Sequence, residues 1–151
     1  MRIGLEPPGQ PEVIALIDAL DAYQRPMYPP ESHHGIDLEA LSRPNVLFAV
    51  ARDASGRAIA CGAIVLESGY GEIKRMYVMP EERGRGIARA LLRFLEEAAA
   101  ARGVASFALE TGNRQHEAIA LYEHAGYVNC EPFGEYQPDP HSVFMRKDRA
   151  A

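Results

Sequence analysis

The most constraining stretch is residues 71–102, GEIKRMYVMPEERGRGIARALLRFLEEAAAAR. Residues 72–78, rich in Ile, Tyr and Val, read as a strand, and Pro80 breaks it in a charged turn. From Ile87 onward Leu91, Phe94, Leu95 and Ala98 recur at steps of three and four, which places them on one helical face. Between strand and helix lie Arg83, Gly84, Arg85, Gly86, Ile87 and Ala88. Glycines let a backbone turn tightly and approach a ligand closely. The first helical turn leaves N–H groups unpartnered and attracts anions through the helix dipole. Arg83, Arg85 and Arg89 crowd that positive end, where stability alone would not select them. An anion lying on the turn reconciles the two, and the stretch reads as a pyrophosphate cradle.

Two rival phosphate motifs do not fit. A P-loop needs Lys followed by Ser or Thr after its last glycine, and neither follows Gly86. A dinucleotide fingerprint needs a third glycine where Arg89 stands, and its acidic ribose partner at the end of a second strand; Glu96 and Glu97 fall inside the helix instead. The bland alternative is a glycine-rich turn with solvated arginines.

Arg83, Gly86 and Ala88 also fill the pattern Gln/Arg-x-x-Gly-x-Gly/Ala, and the order resembles the acetyl-CoA-binding motif of the GNAT superfamily of N-acetyltransferases. The resemblance runs from about residue 57 to the C-terminus and includes a second segment, Glu110-Thr111-Gly112-Asn113 followed by Ala118 to Tyr127. It implies acetyl-CoA as cosubstrate, with Arg83, Gly84, Arg85, Gly86, Ile87 and Ala88 around the pyrophosphate. Met76, Tyr77 and Val78 would pair with the pantetheine arm like an added strand, Asn113 would bind the pantetheine region, and Tyr122 would lie near the sulfur.

Transfer of an acetyl group to an amine requires a proton acceptor for an ammonium substrate, a donor for the oxyanion and a proton for the departing thiolate. The resemblance points to Glu72 for the first, the Val78 N–H for the second and Tyr122 for the third. On a regular strand Glu72, Lys74, Met76 and Val78 would share one face. A salt bridge from Glu72 to Lys74 or Arg75 and a core role for Tyr122 are the structural alternatives.

With 151 residues the chain suffices for one domain spanning 1–151. A formal net charge of −5 argues against nucleic acid or an anionic membrane surface as partner. Cys61 and Cys130 lack metal or redox spacing and read as free thiols in a reducing compartment. No run is long enough to span a bilayer and no leader-like apolar segment opens the chain, so a cytoplasmic location is expected.

The remaining residues predict a strand over 1–6, a helix from Pro11 to before Pro26, and a short helix over 36–41. A hairpin of strands over 45–52 and 57–67 follows, turned at Asp53–Gly56. Beyond the long helix, closed by Gly103, come a strand over 105–110, a helix over 113–125, and strands over 127–133 and 142–146. Together these make a single-domain, GNAT-like α/β fold: a mixed, mostly antiparallel central sheet with helices on both faces. The proline-rich segment 25–44 is expected to wall an acceptor site through Tyr28, Glu31, His33 and His34, or else to be a plain connector. The loop 134–141 could border a pocket. Adjacent histidines do not converge on one ligand, so no metal site is expected at His33 and His34. The acceptor is read as a small-molecule amine. The resemblance also raises homodimerisation, without an interface. A catalytically silent acetyl-CoA-binding regulator and a nucleotide-binding protein stay open as other readings.

Overall fold

The computed structural model describes residues 1–33 and 35–149. Among them seven strands form one sheet in the order β1-β2-β3-β4-β5-β7-β6. The strands are β1 (Arg2–Leu5), β2 (Val46–Arg52), β3 (Ala58–Leu66), β4 (Gly71–Val78), β5 (Ser106–Gly112), β6 (Val128–Asn129) and β7 (Ser142–Asp148). The helices are α1 (Pro11–Gln24), α2 (Leu38–Leu41), α3 (Ile87–Ala100) and α4 (His116–His124). Neighbouring strands run antiparallel except β4 and β5, which are parallel and joined through α3. The crossover is what forces that pairing, because a helix between two strands returns the chain to the end from which it started.

β2 and β3 are buried on both faces, as their near-continuous Val, Ile, Leu and Ala content requires. One face packs against α3 and α4 through Ile64, Ile73, Leu91, Leu95, Phe107 and Tyr122. The other packs against α1 and α2 through Val13, Leu16, Leu41, Phe48, Val50 and Cys61. Each wholly buried leucine here contributes roughly 1.5–3 kcal/mol. Glu96 interrupts the apolar stripe of α3, yet it is satisfied. Tyr127 donates to Glu96 Oε2 at 2.8 Å and Lys147 Nζ donates to Oε1 at 2.9 Å.

Three boundaries depart from the sequence reading. α4 starts at His116 rather than 113, because the Asn113 N–H is taken by the His141 carbonyl at 2.9 Å and the first helical bond runs from Ile119 to Gln115. β6 keeps only two residues of the expected 127–133, and Pro132 has no N–H with which to extend it. α2 spans four residues, capped by the Asp37 carboxylate, which accepts from the Ala40 N–H at 2.8 Å. Gly103, at φ 84°, closes α3 as expected; the following N–H, that of Val104, donates back to the Ala99 carbonyl.

Candidate functional site

The site begins where the sheet parts. β4 and β5 pair only over Gly71–Phe107, Glu72–Ala108 and Ile73–Leu109. Beyond that point β4 continues along β3 and β5 along β7, leaving the edge of β4 open toward a cleft. A β-bulge sharpens the divergence. Cys61 pairs with Tyr77 and Ala63 with Lys74, so Gly62 alone opposes both Arg75 and Met76. Arg75 sits at φ 59°, the left-handed region that non-glycine residues rarely occupy. Its guanidinium is anchored by Asp21 at 2.5 Å and by the Ile36 carbonyl at 3.0 and 3.2 Å, which holds the strained turn in place.

The bulge overturns the expectation that Glu72, Lys74, Met76 and Val78 share one face. One extra residue shifts the alternation, so Met76 and Val78 join Ile73 on the α3 side while Tyr77 lies on the α1 side. Glu72 and Lys74 keep to that α1 side, since Lys74 pairs with Ala63 of the α1-side core.

Toward α3 the cleft is a groove of about 670 Å³. Its lining includes Met76, Tyr77, Val78, Arg83, Gly84, Gly86, Ile87, Ala88 and Arg89. Gly84 (φ 81°) and Gly86 (φ 77°) both adopt left-handed geometry, and a Cβ on either would stand in open space. No side chain among the described residues caps α3, and its first intrahelical bond runs from the Ala90 N–H to the Gly86 carbonyl. The preceding N–H groups are therefore left for an anion. Arg83 Nε donates to the Val78 carbonyl at 3.0 Å, and its guanidinium lies 5.7 Å from the Tyr77 ring and 5.9 Å from that of Tyr23. Met79 N–H donates to Ile59 of β3 at 3.0 Å; by strand alternation the Val78 N–H and carbonyl point the other way, into the cleft. These residues fit the phosphates and the arm of a coenzyme A group. Two expected members stand apart from this lining. Arg85 is exposed and paired with Glu82 at 2.7 Å, and the Asn113 amide donates to the Pro140 carbonyl at 3.4 Å.

Toward α1 the cleft narrows to a pocket of about 250 Å³. Tyr28 and His33 line it, and His33 Nε2 lies 2.9 Å from the Tyr28 carbonyl. The Tyr28 hydroxyl accepts from the Arg114 N–H at 3.1 Å. Glu31 is exposed and outside the lining, and His34 lies outside the described residues. Buried Glu72 lies in the pocket wall with Lys74 Nζ at 3.3 Å, the salt bridge weighed in the sequence reading. The loop 134–141 contributes Tyr136, which sequence reasoning did not single out, and Ser32 donates to Asp139 of that loop at 3.1 Å.

Groove and pocket meet at Leu20, Met76, Gln115, Ala118 and Tyr122. Tyr122 is buried against Tyr127, ring centroids 5.8 Å apart. Its hydroxyl has no hydrogen-bond partner among the described residues and is not sealed from the cavities. Burial, then the Glu110 charge, pushes its pKa well above that of an ordinary phenol, so it remains a proton donor at neutral pH. Cys61, by contrast, is deep beside β4; burial pushes its thiol up to about 12 and keeps it inert.

The sequence model of the acetyltransferase (GNAT) family matches residues 15–127. The chain belongs to this family. It is 48% identical to the IAA acetyltransferase of Azospirillum brasilense, covering 97% of both chains. It is 37% identical to the uncharacterized N-acetyltransferase YsnE of Bacillus subtilis, covering 90% of this chain and 91% of that one. A crystal structure from Klebsiella pneumoniae, named as an acyl-CoA N-acyltransferase, superposes with a TM-score of 0.83 at 41% identity, covering 97% and 96%. The Thermoplasma acidophilum PaiA N-acetyltransferase, solved with coenzyme A, shares the fold with a TM-score of 0.71 at 16% identity and coverage of 98% and 99%. The molecule is thus a GNAT-type acetyltransferase, with the mixed sheet and two-sided helices that its sequence predicts.

Proposed function

We propose that this acetyltransferase moves the acetyl group of acetyl-CoA to a primary amine of a small molecule, by direct attack with both substrates bound. The observation that carries this reading is the meeting of two cavities of different character at Tyr122. The larger, with its uncapped helix end, receives the donor. The smaller presents Glu72, and its size suits a compact acceptor better than a polypeptide.

In this reading Glu72 takes a proton from the acceptor's ammonium, freeing the lone pair. The nitrogen then bonds to the thioester carbonyl carbon, and the Val78 N–H donates to the oxyanion that forms. The C–S bond breaks and Tyr122 gives its proton to the sulfur, since a cysteine-like thiol with a pKa of about 8.5 is only a moderate leaving group. The nitrogen, left with two protons by the attack, passes one to the tyrosinate oxygen as the neutral amide forms. Arg83 and the turn from Gly84 to Ala88 hold the pyrophosphate, while Met76 and Val78 offer backbone to the pantetheine arm; the backbone of Tyr77 is turned to Cys61 of β3. Asn113 and Arg85 join this set after side-chain rotation.

Calorimetric titration with acetyl-CoA, NAD and ATP, on wild type and Gly86→Glu, tests the donor. Acetyl-CoA alone is expected to bind, and the variant, with a carboxylate in the anion site, is expected to lose at least tenfold in affinity. Binding of a nucleotide in its place would refute the reading. Thiol release against a panel of small amines, with IAA included because of the relative's name, then finds the acceptor. Tight acetyl-CoA binding with no acceptor-dependent release would instead mark a regulatory binding protein.

A further inference from the structure

We infer that Tyr136 is a positioning residue for Glu72: its phenol fixes one carboxylate oxygen so that the other stays presented to the acceptor pocket. The inference rests on the reading of Glu72 as base. Tyr136 Oη donates to Glu72 Oε2 at 2.5 Å, and Lys74 Nζ approaches the same oxygen at 3.3 Å while donating to Tyr136 Oη at 2.9 Å. Oε1 has no hydrogen-bond partner among the described residues, and it is not closed off from the cavity that Glu72 lines. The three groups thus form a triangle on one oxygen, with the second left for an incoming ammonium.

The ring that delivers this hydroxyl is held by its surroundings. Tyr136 packs edge-on against Phe133 (5.1 Å between centroids) and Phe144 (5.4 Å), and Phe133 in turn meets Tyr70 at 5.7 Å. Lys74 Nζ lies 5.5 Å above the Tyr136 centroid. An aromatic clamp in a proline-bearing loop fixes the phenol where a mobile side chain would give a diffuse contact. Burial and the Glu72 charge keep that phenol protonated, so it serves as donor to the carboxylate and does not itself take the substrate proton.

A hydrogen bond to the ionised form favours that form. Glu72 also faces Lys74 on its own strand, Glu110 on β5, Glu135 on the loop, Glu67 and Tyr70 before β4, and Tyr28 and His33 beyond α1. Tyr136→Phe leaves these residues in place and removes the hydroxyl that donates to Glu72 and accepts from Lys74.

The test follows the Glu72 carboxyl by 13C NMR in glutamate-labelled protein, its signal assigned by loss in Glu72→Gln, across pH 3–9. In Tyr136→Phe the Glu72 carboxyl signal is expected to move from its wild-type position, since the bond to one of its oxygens is gone. Phe133→Leu, which loosens the clamp but keeps the hydroxyl, is expected to move it less in the same direction. With the acceptor amine, the acidic limb of kcat/KM should shift alongside in Tyr136→Phe, with kcat/KM down about tenfold and acetyl-CoA affinity unchanged. An unmoved Glu72 carboxyl signal in both variants overturns the inference about Tyr136 and leaves Glu72 as base intact. A wild-type pH–rate profile in Glu72→Gln overturns the base reading and this inference with it.

Discussion

In the proposed reaction Tyr122 contributes through its hydroxyl alone. Its ring is core, packed on Tyr127, and its hydroxyl emerges where the two cavities join. Replacing it by Phe keeps the packing and removes only the hydroxyl. Tyr122→Phe is expected to lower kcat by about a hundredfold or more, the usual range for loss of a general acid, with acetyl-CoA affinity nearly unchanged in a calorimetric titration. Because burial raises the phenol's pKa, the defect should be constant between pH 6 and 9. A fall in donor affinity with turnover unaltered at saturation would mean that the tyrosine holds the coenzyme and supplies no proton.

At the level of elements, the pocket is a clasp between the segment after α1 and the end of β5. Gly112 is buried under Tyr28, and a Cβ there would run into the phenol ring and hydroxyl. Gly112→Ala is therefore expected to push Tyr28 out and break its bond from the Arg114 N–H, costing about 1–3 kcal/mol. Thermal unfolding should report a drop of several degrees, and the acceptor KM should rise more than the donor Kd. Such a clasp is invisible in sequence, because Tyr28 and Gly112 are far apart along the chain. By contrast, β4, its turn and α3 were legible because each carries its own local signal: β-branched residues, Pro80, two left-handed glycines and a strict helical stripe. The bulge at Arg75 was not, since arginine gives no hint of positive φ and its anchors, Asp21 and the Ile36 carbonyl, come from other elements. Tyr136 was missed for the same reason: the loop could be read as a pocket border, but its bond to Glu72 spans 64 positions.

For the molecule as a whole, the buried protonated groups set an alkaline limit. Cys61 titrates near 9.0 when unfolded and about 12 when folded, and Tyr122, Tyr127 and Tyr136 are all held above the ordinary phenol value. A folded pKa above the unfolded one gives stability that is whole below the unfolded value and lost as pH climbs toward the folded one. Urea midpoints should accordingly stay level from pH 7 to 8.5 and fall from about pH 9 to 11. Each such group contributes up to about 1.4 kcal/mol per pH unit once its unfolded form ionises. Cys61→Ala should flatten the start of that decline; an unchanged decline would place the loss elsewhere. The three-pair join between β4 and β5 carries a different message about the same whole. It is a seam, four strands stitched to three by a few peptide bonds' worth of ladder, and a donor lying against the free edge of β4 would lengthen the stitching. Occupancy would then make the two halves answer to strain as one piece, so that the amides of Met76 and Val78 exchange their hydrogens in step with the rest of the sheet.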